Sequence, residues 1–238
     1  MSRTAVISGV GAGLGASLVR KFAAADYQVA LLARSPGYIQ ELAEELGHKG
    51  RTALPLPTDI TSPEQVARSF AQVRDQLGPV DLMINHAGNA VWKDFLDLTP
   101  EDFEQSWRVC AYGSLLCAQE AAADMVPRGS GTILFTGATS SMRGRAGALA
   151  FSSAKFAVRG LAWSLARELW PRGIHVAHII IDGVLDTPHV RNSGYVEEDD
   201  PLLNTDAVAQ AYWDLVQQDR GAWGFEIDLR PHNEGFFE

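Results

Sequence analysis

The sequence predicts a doubly wound α/β fold, and three observations carry that prediction. Strand-like and helix-like segments alternate along the whole chain. The strand-like segments are continuous apolar runs, as suits burial on both faces of a parallel sheet. The first of them runs into a glycine-rich turn that opens a helix, the arrangement of a dinucleotide-binding βαβ unit. At 238 residues the chain fits one domain, residues 1–238.

The elements follow in order. Thr4–Ser8 (TAVIS) is a short apolar run closed by glycines and reads as a buried strand. The stretch LGASLVRKFAAAD spaces Leu14, Leu18, Val19 and Phe22 on one helix face. Tyr27–Ala33 is a second strand, and GYIQELAEELG an acidic amphipathic helix ended by Gly47. TALPLPTD carries a third strand. SPEQVARSFAQVRDQLG is a third helix, with Ser62 as N-cap and Pro63 at its first position. VDLMINHAG is a fourth strand running into a loop. One long helix is expected from about Pro100 to Val126, and TILFTGATS is a fifth strand. A helix through Phe151 and Lys155 leads to the strand IHVAHIII. A polar segment follows, and residues 187–203 read as one long irregular loop, a length typical of a substrate lid. TDAVAQAYWDLVQQ is the last helix and GFEIDL the last strand.

Bulk properties exclude several classes. Hydrophobic residues make up 46% of the chain, enough for a sizeable core. A net charge of −9 argues against nucleic acid or an anionic membrane as partner. No apolar run approaches the ~20 residues that span a bilayer. With the first strand starting near Thr4, no room remains for a signal peptide. Cys110 and Cys117 fall on one predicted helix roughly 10 Å apart, too far for a disulfide. Two unpaired cysteines point to a reducing, cytoplasmic location. No metal site is expected.

The cofactor site is the most legible feature. Gly9, Gly13 and Gly15 let the backbone turn tightly and approach a phosphate, and the helix that follows offers free N–H groups to a pyrophosphate. At the end of the second strand, NAD sites place a carboxylate for the ribose, whereas NADP sites use an arginine for the 2′-phosphate. Here Arg34 and Ser35 occupy that place, with no acid. NADP(H) is therefore expected in preference to NAD(H).

These residues resemble the short-chain dehydrogenase/reductase family. Ser8–Gly15, which includes Gly11 and Leu14, looks like that family's T-G-x-x-x-G-x-G turn, with Ser in place of Thr. The stretch NHAG, with Asn85, Ala87 and Gly88, resembles its N-N-A-G, and Asp59–Ile60 its adenine-flanking pair. DGVLDT, with Gly183 and Thr187, resembles P-G-x-x-x-T, whose threonine holds the nicotinamide carboxamide. The resemblance covers about Arg3 to Thr187 and implies a parallel seven-stranded sheet, a nicotinamide dinucleotide and assembly as a homodimer or homotetramer. The apolar Phe156, Leu161, Trp163, Leu165, Leu169 and Trp170, spread over more than one face of their helix, fit such an assembly.

The same resemblance exposes a gap. The family pairs a catalytic tyrosine with a lysine four residues later, a serine thirteen residues before the tyrosine, and an asparagine on the preceding long helix. Here Lys155 stands in the lysine slot, but the tyrosine slot holds Phe151, the serine slot Ala138 and the asparagine slot Cys110. A phenyl ring has no titratable proton and a methyl group bonds no oxyanion. Those two functions are worth about 10²–10⁴-fold and about 10²–10³-fold. The nearest resemblance is to a branch with Phe for Tyr and the Lys retained. Substitute donors to consider are Ser140, Ser141, His189, Tyr195 and Asp182, the last of which replaces the usual proline.

Two functions fit: an NADP(H)-dependent oxidoreductase with non-standard proton delivery and an unknown small-molecule substrate, or a non-catalytic NADP(H)-binding protein acting as sensor or partner subunit. A structural module that binds no nucleotide is a third, weaker reading.

Overall fold

The computed structural model describes residues 2–234. Its centre is a seven-stranded parallel sheet of β1 (Arg3–Ser8), β2 (Tyr27–Ala33), β3 (Ala53–Pro57), β4 (Val80–Asn85), β5 (Gly131–Thr136), β6 (Ile174–Ile181) and β9 (Glu226–Leu229). The strand order is β3-β2-β1-β4-β5-β6-β9, so the chain winds outward in both directions from β1. All eight residues of β6 are buried, His175 and His178 among them, which is why the run carries no polar alternation.

Helices cover both faces. On one side α1 (Leu14–Ala24), α2 (Pro36–His48) and α8 (Thr205–Val216) bury Leu18, Phe22, Ile39, Leu42 and Tyr212 against Ile7, Leu31 and Ile179. On the other, α3 (Pro63–Gln76), α5 (Gly113–Arg128) and α6 (Leu149–Leu169) bury Phe70, Met125 and Val158 against Val6, Met83 and Phe135. The N-cap expected at Ser62 is present, accepting the Gln65 amide N–H at 3.3 Å ahead of Pro63.

Three expectations need correction. The long helix predicted from Pro100 to Val126 is two α-helices, α4 (Pro100–Trp107) and α5, joined by a π-helical turn at Arg108–Tyr112. Apolar periodicity continues through such a turn, so nothing in the pattern marks the extra residue. The fifth strand stops at Thr136, and Thr139–Ser141 instead forms a single 3₁₀ turn. The segment expected to be irregular holds two short strands, β7 (Val184–Leu185) and β8 (Leu202–Leu203), paired in parallel, and a short helix, α7 (Pro188–Asn192). Thr187 starts α7 by accepting the Val190 N–H at 3.2 Å, Pro188 occupies its first position, and Arg191 closes it with a two-point pair to Asp186.

Candidate active site

The glycine-rich turn between β1 and α1 is shaped by close backbone approaches. Gly9 has φ +79°, and a Cβ there falls 2.5 Å from the Cα of Ala87, so the two loops that resemble family motifs touch each other. A Cβ on Gly15 falls 2.8 Å from the Gly9 carbonyl oxygen, and one on Gly13 falls 2.8 Å from the Thr187 methyl. Gly11 faces open space. Leu14, the first residue of α1, is buried. The first turn of α1 has no side-chain cap and no acidic residue, and while the Ala16 N–H is taken by the Gly11 and Gly13 carbonyls, those of Leu14 and Gly15 remain for a pyrophosphate. Arg34 and Ser35 stand exposed at the end of β2, and among the described residues neither side chain has a hydrogen-bond partner. The residues present thus fit a nicotinamide dinucleotide, with a cation at the adenosine end.

The remaining expected binding residues are placed by their own local contacts. Asp59 is half-buried, and its carboxylate accepts from the Thr61 N–H and hydroxyl at 2.9 and 2.8 Å. Ile60 is packed against Gly113, where a Cβ meets its Cδ1 at 2.6 Å. Asn85 ends β4 buried, and neither its side-chain nitrogen nor its oxygen has a partner among the described residues. The Ser8 hydroxyl accepts from the N–H of His86 at 3.3 Å, which anchors the loop carrying Ala87 and Gly88 to β1. Gly183 has φ +152°, and a Cβ there meets Pro231 Cδ at 2.8 Å, so the chain after β9 packs on this motif.

Lys155 is only 5% exposed, in the second turn of α6. Its ammonium donates to the Thr136 carbonyl at 2.7 Å and lies 5.5 Å from the centroid of the Phe151 ring. Burial lowers its pKa from the ordinary lysine value. The Cys110 sulfur accepts from the Asn89 N–H at 3.5 Å inside the π-helical turn, a deformation that recurs at functional positions. Cys110 and Cys117 are both free and buried. Ala138 sits where β5 gives way to the 3₁₀ turn and presents only a methyl group.

The substitute donors sort differently from expectation. Ser140 and Ser141 are buried and committed: Ser140 accepts from the Ser152 hydroxyl at 3.2 Å, and Ser141 accepts the Ala138 N–H at 3.1 Å. Asp182 is buried and paired with Arg230, lies 3.6 Å from Arg143 and accepts from the Thr139 hydroxyl. Two arginines arriving from distant segments explain a carboxylate in a proline's place, and sequence spacing does not bring them together. His189 and Tyr195 are exposed, Tyr195 to 67%.

Sequence reasoning missed a hydrogen-bonded trio built on Thr136, whose carbonyl Lys155 holds. The Thr136 hydroxyl bonds the Tyr212 hydroxyl at 2.8 Å and His86 Nδ1 at 3.3 Å. Burial, then the Lys155 charge, pushes the His86 pKa down to about 4, and burial raises that of Tyr212. Tyr212, contributed by α8 and fully buried, thus bonds the hydroxyl of the same threonine whose carbonyl Lys155 holds. His in place of the second Asn of N-N-A-G was the one available signal. Trp92 and Arg145 at the mouth were also missed, because they lie in loops without a motif.

Residues 3–197 match the short chain dehydrogenase family. A short-chain dehydrogenase/reductase of Armillaria gallica is 31% identical over 192 residues, covering 78% of this chain and 72% of its own length. A short-chain dehydrogenase from Rhodopseudomonas palustris is similar in structure with a TM-score of 0.83 at 34% identity, covering 97% of this chain and 99% of that one. A metagenomic short-chain oxidoreductase solved in complex with NADP has a TM-score of 0.85 at 20% identity over 98% of both chains, a likeness of fold.

Proposed function

Because this chain belongs to the short-chain dehydrogenase family, we propose that it is an NADP(H)-binding oxidoreductase with an atypical active site, of the branch that keeps Lys and replaces Tyr with Phe. When bound, the nicotinamide supplies or accepts a hydride. The chain's own part is to hold the dinucleotide and shape the mouth. Arg34 and Ser35 take the 2′-phosphate, the uncapped start of α1 takes the pyrophosphate, and Thr187 faces the nicotinamide end. Lys155 leaves the Thr136 carbonyl to hold the ribose hydroxyls. The single observation that supports this best is the buried Lys155, held by the Thr136 carbonyl and with no carboxylate partner among the described residues. Without a phenol at position 151, simple carbonyl reduction is slower by about 10²–10⁴-fold. A substrate that accepts hydride without that proton, such as a conjugated C=C bond, suits the site better.

One observation favours a second reading, a non-catalytic NADP(H) sensor or partner subunit. Phe151 and Ala138 offer no donor, and Ser140, Ser141 and Asp182 are held in structural bonds. Under either reading, we place the protein in a reducing, cytoplasmic compartment as a homodimer or homotetramer. Among the described residues no helix is long and apolar enough to cross a membrane.

Fluorescence titration with NADPH and NADH, paired with a screen for NADPH consumption over carbonyl and enone substrates, tests the proposal. NADPH binding with enone turnover supports the oxidoreductase, and NADPH binding without turnover supports the sensor. Failure to bind either dinucleotide overturns both.

A further inference from the structure

Beside Phe151 stand two side chains with no role so far, Trp92 and Arg145. Trp92, in the segment after β4, is 55% exposed. Its ring centroid lies 6.4 Å from that of Phe151, with the planes tilted by 44°. The guanidinium carbon of Arg145 lies 5.6 Å from the Trp92 centroid. The two loops are stitched together, since the Lys93 N–H donates to the Gly147 carbonyl at 2.8 Å. Trp92 and Arg145 are therefore held on one tied platform beside Phe151.

Charge makes this platform unusual. The chain carries nine excess negative charges, yet Arg145 makes no ion pair or side-chain hydrogen bond among the described residues. Two acids of the surrounding segments are engaged with other cations. Asp182 is paired with Arg230 and faces Arg143, and Asp102 is paired with Lys93 at 2.6 Å. A planar guanidinium with open donors binds a carboxylate through two parallel hydrogen bonds. Exposed aromatic rings beside a cleft mark a place for a flat apolar group. Replacing a phenol by Phe151 makes the floor beside Lys155 apolar, which suits a ring.

We propose that this mouth takes a planar aromatic carboxylic acid, its ring against Phe151 and Trp92 and its carboxylate on Arg145; the inference rests on the reading of this cleft as an active site. Isothermal titration of the full chain with 2-naphthoate and with its neutral counterpart 2-naphthamide, each with and without saturating NADPH, tests it. The acid is expected to bind tighter than the amide by about tenfold or more. Arg145→Met is expected to bring the two within about twofold while leaving NADPH affinity and melting temperature unchanged. Trp92→Ala is expected to weaken both probes alike. Equal affinities in the parent, no binding of either probe, or a preference that survives Arg145→Met overturns the proposal. The cofactor-free arm separates the two ideas. Acid preference without any NADPH binding sinks the oxidoreductase reading alone, and NADPH binding without acid preference sinks the aromatic-acid proposal alone.

Discussion

The ammonium of Lys155 faces the Phe151 ring across 5.5 Å, one helical turn along α6. Residues at i and i+4 share a helix face, so the pair holds the spacing of a tyrosine–lysine couple with the hydroxyl removed. Lys155 meanwhile spends a hydrogen bond on the Thr136 carbonyl.

Restoring the missing groups is expected to restore chemistry. Phe151→Tyr with Ala138→Ser returns a phenol beside a buried cation, which lowers its pKa, and a hydroxyl for the substrate oxygen. The double variant should reduce generic ketones or quinones with NADPH faster than the parent by about 10²-fold or more. Full family rates are not expected, because Cys110 supplies no amide. Brisk turnover of a carbonyl substrate by the parent contradicts the idea of an emptied site and directs attention to His189 and Tyr195.

Cofactor choice is expected to lie with the exposed cation after β2. Arg34→Ala should weaken NADPH by about tenfold and leave NADH within about twofold, because only the 2′-phosphate loses a charged partner. An unchanged NADPH affinity removes Arg34 from the site.

The contact between Gly13 and Thr187 yields a rescue test. Gly13→Ala puts a methyl 2.8 Å from the Thr187 methyl and should cost about 1–3 kcal/mol of stability in thermal unfolding. Thr187→Ser removes the obstructing methyl and keeps the hydroxyl that caps α7, so the double variant should recover most of the loss. Absence of recovery means that the clash lies elsewhere.

Acid sensitivity is expected from His178. It is fully buried, and its Nδ1 lies 2.8 Å from Glu226 Oε1, which Arg159 also holds at 2.9 Å. Burial, against the opposing pull of Glu226 and with help from Lys155 and Arg159, lowers its pKa from 6.5 to about 4. The unfolded chain therefore takes up this proton below pH 6.5 while the folded chain refuses it until about pH 4. Stability should fall as pH falls through that window. His178→Asn should flatten this loss by on the order of 1–3 kcal/mol, whatever it costs at neutral pH. An unchanged slope between variant and parent rules His178 out as the cause.

Assembly is the last expectation. Phe156 and Trp163 on α6 are 45% and 43% exposed, and Trp107 on α4 is 42% exposed. Leu169 is core, and the Trp170 ring N–H donates to the Val176 carbonyl at 3.0 Å, so those two belong to the chain's own fold. Light scattering at micromolar concentration should give a dimer or tetramer, and a monomer counts against it.

The sheet was legible because its strands are apolar runs bounded by glycine and helix caps, signals that are local. Gly9, Gly13 and Gly15 could be read for the same reason, since a tight turn writes its need into adjacent residues. The π-helical turn at Arg108–Tyr112 was not legible, because one extra residue leaves apolar spacing nearly intact. Asp182 stood among the substitute donors because Arg143 and Arg230 reach it from loops far away in sequence. The bond from Tyr212 to Thr136 was invisible for that reason too, as Tyr212 comes from α8, on the opposite face of the sheet from α6.

Pairing Val184–Leu185 with Leu202–Leu203 has an evolutionary consequence. The intervening segment leaves and re-enters the fold through one hydrogen-bonded doorway, so its two ends stay fixed whatever lies between them. Each doubling of such a closed loop costs only about 0.6 kcal/mol. Insertions or deletions beyond α7 are expected to leave the sheet, the Gly13–Thr187 contact and Lys155 undisturbed. The segment is a cassette, and a lineage carrying it can change what crosses the doorway without relearning how to fold.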